Sequence, residues 1–219
     1  YKDAGSADNF GEWLDLYHNE KEKRPVCLSE YGGGGAISQH KDNVDWESDI
    51  DPVGVRHYEN YQSQLHEILW KQFSVRKYLW AEFIWCMFDF ASYGRTEGDT
   101  KSLNDKGLCT RERIPKDVYF FYRSVWSSEK TVYITERRHE FRTCDVPFVK
   151  VYSNADAVEL CINDVSHGRI SRCELPDDEN TVFVWKNIKI KPGTKNKICA
   201  KAYFSDGTSR TDYAFWTGK

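Results

Sequence analysis

The sequence predicts an α/β region followed by an all-β one, on three observations. Up to Trp126, stretches with helical spacing alternate with short apolar runs in the order helix, strand, loop, helix, strand, loop, helix, an order that implies parallel strands. After Trp126 the chain turns to short β-rich segments separated by turns such as SNAD, KPGTKN and SDGT, the pattern of a β-sandwich. The change falls in SSEK, so we expect an α/β domain over residues 1–126 and a sandwich domain over residues 127–219.

The elements follow in chain order. In NFGEWLDLYHN, residues Phe10, Trp13, Leu14 and Tyr17 recur at helical spacing and predict a short amphipathic helix. Next comes RPVCLSEYGGGG, residues 24–35, a strand over Pro25 to Glu30. Its apolar run ends in the carboxylate of Glu30, and Gly32 to Gly35 then remove every side chain where the backbone must bend or let something approach closely. In parallel sheets the loops beyond the strand C-termini build the site; a strand delivering an acid to a cleft has this form, and so does one ending in a hydrogen-bonded structural Glu. A long polar loop runs from Gly32 to about Val55, a length typical of functional loops.

Tyr58, Tyr61, Leu65, Ile68, Leu69 and Phe73 then predict a second helix between Arg56 and Val75. The run YLWAEFIWCMFDF, residues 78–90, is apolar nearly throughout and suits a strand covered on both faces, with Asp89 at its end. A second long loop spans Ala91 to about Ile114, and Pro115 opens a third helix, PKDVYFFYRSVW, at a first-turn position. The sandwich strands are expected in TVYITE, FVKVYS, AVELCIN, TVFVWKNIKI, KICAKAYF and TDYAFW.

Composition excludes several classes. A net charge of −3, from 31 basic and 34 acidic residues, gives no basic field for nucleic acid. No apolar run approaches the ~18–20 residues of a membrane-spanning helix, and even residues 78–90 carry Glu82 and Asp89. The first residues, YKDAGSADNF, lack a leader pattern, and with Tyr1 first and Met87 the sole methionine the chain reads as a piece of a longer one. Seven cysteines (27, 86, 109, 144, 161, 173 and 199) form no CxxC pair; we expect small buried hydrophobes, leaning towards a reducing, cytoplasmic setting. The six histidines lack i, i+4 spacing, so no metal-ligand cluster is expected. Aromatic residues make up 15% of the chain, which suits a core or the flat platforms on which sugars stack.

The combination SEYG (29–32), FIWCMFDFASYGRTEGDT (83–100), NDKGLCTRERIPKD (104–117), YFFYRSVW (119–126) and VYSNADAVELCIN (151–163) resembles the C-terminal part of glycoside hydrolase family 2 enzymes, with bacterial β-galactosidases nearest in wording. The resemblance implies that residues 1–126 are the last two and a half βα units of a (β/α)8 TIM barrel and that an immunoglobulin-like sandwich follows. It implies that Glu30 is the nucleophile of a retaining glycosidase. There a carboxylate attacks the anomeric carbon while a second carboxyl, about 5–5.5 Å away, protonates the leaving oxygen. In the family that acid belongs to an Asn-Glu pair far upstream. Asn19-Glu20, at the end of the first predicted helix, is read as solvated surface instead.

Further roles come from the same resemblance. Trp85 would form part of the wall against which the sugar packs, with Trp80 in the core. Asn104 and Lys106 form an Asn-x-Lys pair like one that holds the sugar carboxylate in β-glucuronidases, lysine supplying a point charge and asparagine a donor. By position rather than by resemblance, Asp89 at the end of its strand would bond a sugar hydroxyl or tie down its loop, and His40 just beyond the glycines would edge the pocket. The expected activity is that of an exo-β-galactosidase. The alternatives are a β-glucuronidase and a non-enzymic carbohydrate-binding module using Tyr152, Trp185, Tyr203 and Trp216. The partner is a carbohydrate, with no organic cofactor and no metal ligand set. Lacking the general acid, the 219-residue piece is expected to be inactive alone; a partial barrel leaves sheet faces and edges open, so it is expected to cover them by pairing with another copy.

Overall fold

The computed structural model describes residues 7–21, 23–46, 48–50, 54–176 and 180–219. Parts of the first long polar loop, residues 47 and 51–53, lie outside the described residues. The first part of the chain holds helix α1 (Phe10–Glu20), strand β1 (Val26–Tyr31), helix α2 (Glu59–Phe73) and strand β2 (Leu79–Ile84). The two-residue strands β3 (Phe90–Ala91) and β4 (Leu103–Asn104) and helix α3 (Asp117–Trp126) complete it.

Strands β1 and β2 pair in parallel, Val26 opposite Leu79 and Tyr31 opposite Ile84, with a register irregularity between Leu28 and Tyr31. Helix α2 crosses between them and buries Gln62, Leu65, His66, Leu69 and Phe73, one stripe at three- and four-residue spacing. Leu65, Leu69 and Phe73 join Leu28, Tyr31, Val118, Phe121 and Tyr122 in one apolar cluster.

Three expectations are corrected here. The apolar run 78–90 is a strand only to Ile84, because beyond it the amides of Trp85, Cys86 and Asp89 turn to the carbonyls of Tyr31, Lys106 and Cys109. Trp80 is 66% exposed, because no layer among the described residues packs on that face of β2. Pro115 precedes rather than occupies the first turn: Lys116 is the N-cap of α3, and the Pro115 carbonyl accepts a bond from Arg138 at 2.7 Å.

The second part is a two-sheet sandwich. Its strands are β5 (Val132–Ile134), β6 (Phe141–Arg142), β7 (Asp145–Ser153), β8 (Ala157–Ile162), β9 (Val165–Ser171), β10 (Val182–Lys189), β11 (Lys195–Tyr203) and β12 (Ser209–Gly218). One sheet has the order β10-β7-β5, the other β6-β12-β11-β8-β9. Alternate residues point inward: Val158, Leu160 and Ile162 of β8, Ile198, Ala200 and Ala202 of β11, and Ala214 and Trp216 of β12 fill the space between the sheets. Tyr152, Trp185 and Trp216 are 0%, 6% and 1% exposed, so three of the four aromatics considered for a sugar platform are core residues.

The cysteine expectation also fails in detail. All seven are free thiols, but only Cys109 is buried, and Cys161 and Cys199 face one another across β8 and β11. Alternation places one side chain of each apolar run on the outer face. Among the described residues no helix is long and apolar enough to cross a membrane.

Candidate active site

The site lies where β1 and β2 end. Tyr31, the last residue of β1, is buried; its ring meets Phe73 edge-on at 5.0 Å and its hydroxyl lies 3.0 Å from that of Tyr122. With Tyr31 drawn inward, its neighbour Glu30 stands exposed, and among the described residues it has no hydrogen-bond or ion-pair partner. A carboxylate held on a strand yet left without a partner is available for chemistry.

The glycines after it answer to close packing. Gly32 has φ +135°, in the region that side chains avoid, and a Cβ there would lie 2.9 Å from the His66 ring. At Gly34 a Cβ would lie 2.3 Å from Asp105 Oδ1. Helix α2 reaches up to hold this backbone: Gln62 donates to the carbonyls of Gly33 at 2.8 Å and Gly107 at 3.1 Å. The Gly33 amide donates to His66 Nε2 at 3.4 Å, so Nδ1 carries the ring proton and donates to the Tyr122 hydroxyl at 2.9 Å. Burial pushes the His66 imidazole down to about 3, which keeps it neutral.

Three segments meet beside Glu30. The Trp85 amide donates to the Tyr31 carbonyl at 2.9 Å, and the Cys86 amide to the Lys106 carbonyl at 3.1 Å. These two backbone bonds tie the residue after Glu30 to Trp85, and the residue after Trp85 to Lys106. Trp85 is 41% exposed with its ring edge-on to Phe90 at 5.9 Å, as an open wall requires.

Lys116 pins the assembly from below. Its fully buried ammonium donates to the Gly35 carbonyl at 2.7 Å, to the Asp105 carbonyl at 2.7 Å and to Asp89 Oδ1 at 2.8 Å. One cation thus ties the loop after β1 to both segments after β2. His57 adds a second clamp, its Nδ1 lying 2.9 Å from Asp105 Oδ2. The Lys116 and His57 contacts span 11 to 81 residues of chain, so no local motif announced them.

The sequence-derived residues now separate. Backbone bonds link the segments that carry Glu30, Trp85 and Lys106 where the strands end. Asp89 is 5% exposed, with its Oδ1 taking both Lys116 and the Gly107 amide at 2.8 Å, so it ties down its loop rather than facing a sugar. Burial outweighs the Lys116 charge and pushes its carboxyl upward. Asn104 is 2% exposed and accepts the Lys106 amide at 3.1 Å, positioning the lysine from behind.

His40 does not edge this cleft. Its ring stacks on His139 of the sandwich at 5.6 Å and bonds the Ile37 carbonyl at 2.9 Å, a buried place at the junction of the two parts. Asp42, Glu136 and His139 bring ligand atoms within 4.8 Å of one another. Arg142 already pairs with both carboxylates there, so the cation-accepting charge is taken by the protein itself.

Residues 146–210 match the family model described as a domain of unknown function, DUF4982. The chain is 36% identical over 183 residues to a β-glucuronidase of Bacteroides fragilis, covering 83% of this chain and 25% of that protein. It is 25% identical over 137 residues to the β-galactosidase BoGH2A of Bacteroides ovatus, covering 63% of this chain and 16% of that protein. The chain belongs to glycoside hydrolase family 2. The FMN-binding β-glucuronidase from Facaelibacterium prausnitzii L2-6 superposes with a TM-score of 0.82 at 31% identity, over 98% of this chain and 30% of that one. The chain therefore spans a C-terminal part of its family 2 relatives, about a quarter of the length of the Bacteroides fragilis protein.

Proposed function

We propose that this chain is the C-terminal part of a retaining exo-β-glycosidase in which Glu30 is the nucleophile. The observation that carries the reading is the exposed, unpartnered carboxylate of Glu30 at a parallel strand end, with Trp85 one backbone bond away. In the first step the Glu30 carboxylate attacks the anomeric carbon and the glycosidic bond breaks, with a carboxylic acid outside this chain protonating the leaving oxygen. Water then releases the sugar from Glu30. With one of the two carboxyls, residues 1–219 alone are inactive.

The parallel pair β1–β2 with α2 between fits the last units of a (β/α)8 barrel, and the exposed Trp80 and Phe83 mark where its other strands pack. A second copy covering that face is the competing arrangement. The strand orders β10-β7-β5 and β6-β12-β11-β8-β9 suit an immunoglobulin-like sandwich beginning near residues 127–130.

For the sugar we favour a terminal β-glucuronide, supported by Lys106, which Asn104 and Cys86 hold beside Trp85 where a carboxylate would sit. A β-galactoside is the second reading, supported by the wording GRTEGDT and NDKGL and by the likeness to BoGH2A. Hydrolysis of paired aryl β-glucuronide and β-galactoside by the full-length enzyme, with Glu30→Gln as control, tests both. Turnover of neither sugar, or turnover indifferent to the substitution, overturns the enzyme reading.

A further inference from the structure

Beyond Trp85 a second surface opens. Residues 85–91, Arg111 and Arg113 line a cleft of about 560 Å³, within the ~300–1,000 Å³ range of small-molecule sites. One wall is apolar, with Trp85 41% and Met87 46% exposed. The other is cationic.

The two arginines are held in place by a tight turn. The Arg113 amide donates to the Thr110 carbonyl at 2.9 Å and the Thr110 amide to the Ile114 carbonyl at 2.9 Å. Arg113 itself has φ +72°, a conformation that costs a non-glycine residue and is kept only where the surroundings impose it. That geometry lays its guanidinium over the Phe88 ring, 3.8 Å from the centroid, while Nη1 bonds the Arg111 carbonyl at 2.8 Å. Stacking occupies the face of a guanidinium and leaves its N–H edge for an oxyanion. Among the described residues Arg111 pairs with Glu112 at 3.4 Å, with both side chains more than 60% exposed, a pairing worth little in water; Asp89, which also lines the cleft, is buried and paired with Lys116. The turn is fixed to the wall it faces, because Cys109 exchanges backbone bonds with Met87 and Asp89 at 3.0 and 2.9 Å.

We propose that this cleft binds the unit next to the cleaved sugar and that this unit carries an anion, the carboxylate or sulfate of an acidic saccharide. The inference rests on the glycosidase reading for its geometry. Trp85 is common to both surfaces, while Arg111 and Arg113 line the cleft with residues 87–90, Arg113 over the Phe88 ring. A ring can stack on the aromatic wall while its anion reaches the guanidinium edges, a charge-assisted, bidentate arrangement.

The test uses the full-length enzyme and two substrates with the same terminal sugar, one with a uronate as the adjoining unit and one with its neutral counterpart, with a sulfated analogue as a third. The ratio of kcat/KM for acidic over neutral substrate is expected to fall about tenfold in R111A/R113A, equivalent to ~1.4 kcal/mol, and to recover in part in R111K/R113K. The same variants are titrated calorimetrically with the acidic disaccharide in the Glu30→Gln background, where no turnover is needed. An unchanged ratio together with unchanged binding overturns the proposal. Loss of binding in R111A/R113A supports it even if no glycoside is hydrolysed, an outcome that would sink the glycosidase reading alone. Whether the uronate or the sulfate responds more strongly identifies the anion.

Discussion

The Trp85 amide and the Tyr31 carbonyl, 2.9 Å apart, join the ends of two parallel strands immediately beyond Glu30. That bond fixes the spacing of the two segments that carry the tryptophan and the carboxylate. The expected consequences are specific.

Glu30→Gln keeps the shape of the strand end and removes the carboxylate proposed as nucleophile. In the full-length enzyme kcat should fall about 10⁴-fold or more, the scale on which a single catalytic residue is lost. Circular dichroism should be unchanged, because the replaced group has no partner among the described residues. Retention of more than a tenth of the wild-type rate would remove Glu30 from the mechanism.

Lys106→Met should separate the two sugars. If Lys106 receives the carboxylate, kcat/KM for an aryl β-glucuronide falls by about 10²-fold, since a charged hydrogen bond contributes ~1.5–3 kcal/mol. The same ratio for the β-galactoside should move much less. Equal losses would assign the lysine a general role in shaping the loop.

Lys116→Met strands the carboxylate of Asp89, which is 5% exposed and has the lysine as its cation. Breaking one side of a buried ion pair costs about 3–5 kcal/mol, read as a lowered urea midpoint. Adding Asp89→Asn should recover part of that loss, because it removes the uncompensated charge while keeping an acceptor for the Gly107 amide. A double variant no more stable than the single one would show that the ammonium acts through the Gly35 and Asp105 carbonyls instead.

His66 makes stability depend on pH. Its folded-state value of about 3 lies below the ordinary 6.5. Between the two, only the unfolded chain holds the proton, so its contribution is full above the upper value and is lost as pH falls. The slope is up to ~1.4 kcal/mol per pH unit. Urea unfolding from about pH 7 to about pH 5 should show a shallower dependence in His66→Gln than in wild type. Parallel curves would mean that the ring takes up its proton over the same pH range in both states.

The helices and the strand that carries Glu30 were legible because their information is local. The stripe Leu65, Leu69, Phe73 states its period, and SEYGGGG states an abrupt end. The sandwich strands with inward alternation were legible for the same reason. β9 was not, because VSHGRIS is mostly exposed and shows no apolar alternation; nor was β6, two residues held mainly by the edge of β12. Lys116 read as the start of a helix, and its role depends on carbonyls brought in from Gly35 and Asp105. His40 looked like a neighbour of the glycine loop, whereas its environment is set by His139, almost a hundred residues away in the chain.

The apolar cluster beneath Glu30 does not stop at Trp126. Tyr133, Tyr152 and Val182, from three strands of one sandwich sheet, belong to the same cluster as Leu65, Leu69 and Phe121, and Lys150 reaches across to Glu67 at 2.8 Å. Heat or denaturant should therefore melt the two parts in one transition. Scissors placed in SSEK would not release two soluble modules but would strip both of a shared wall. The sandwich serves as the foundation on which the paired strands β1 and β2 keep their register.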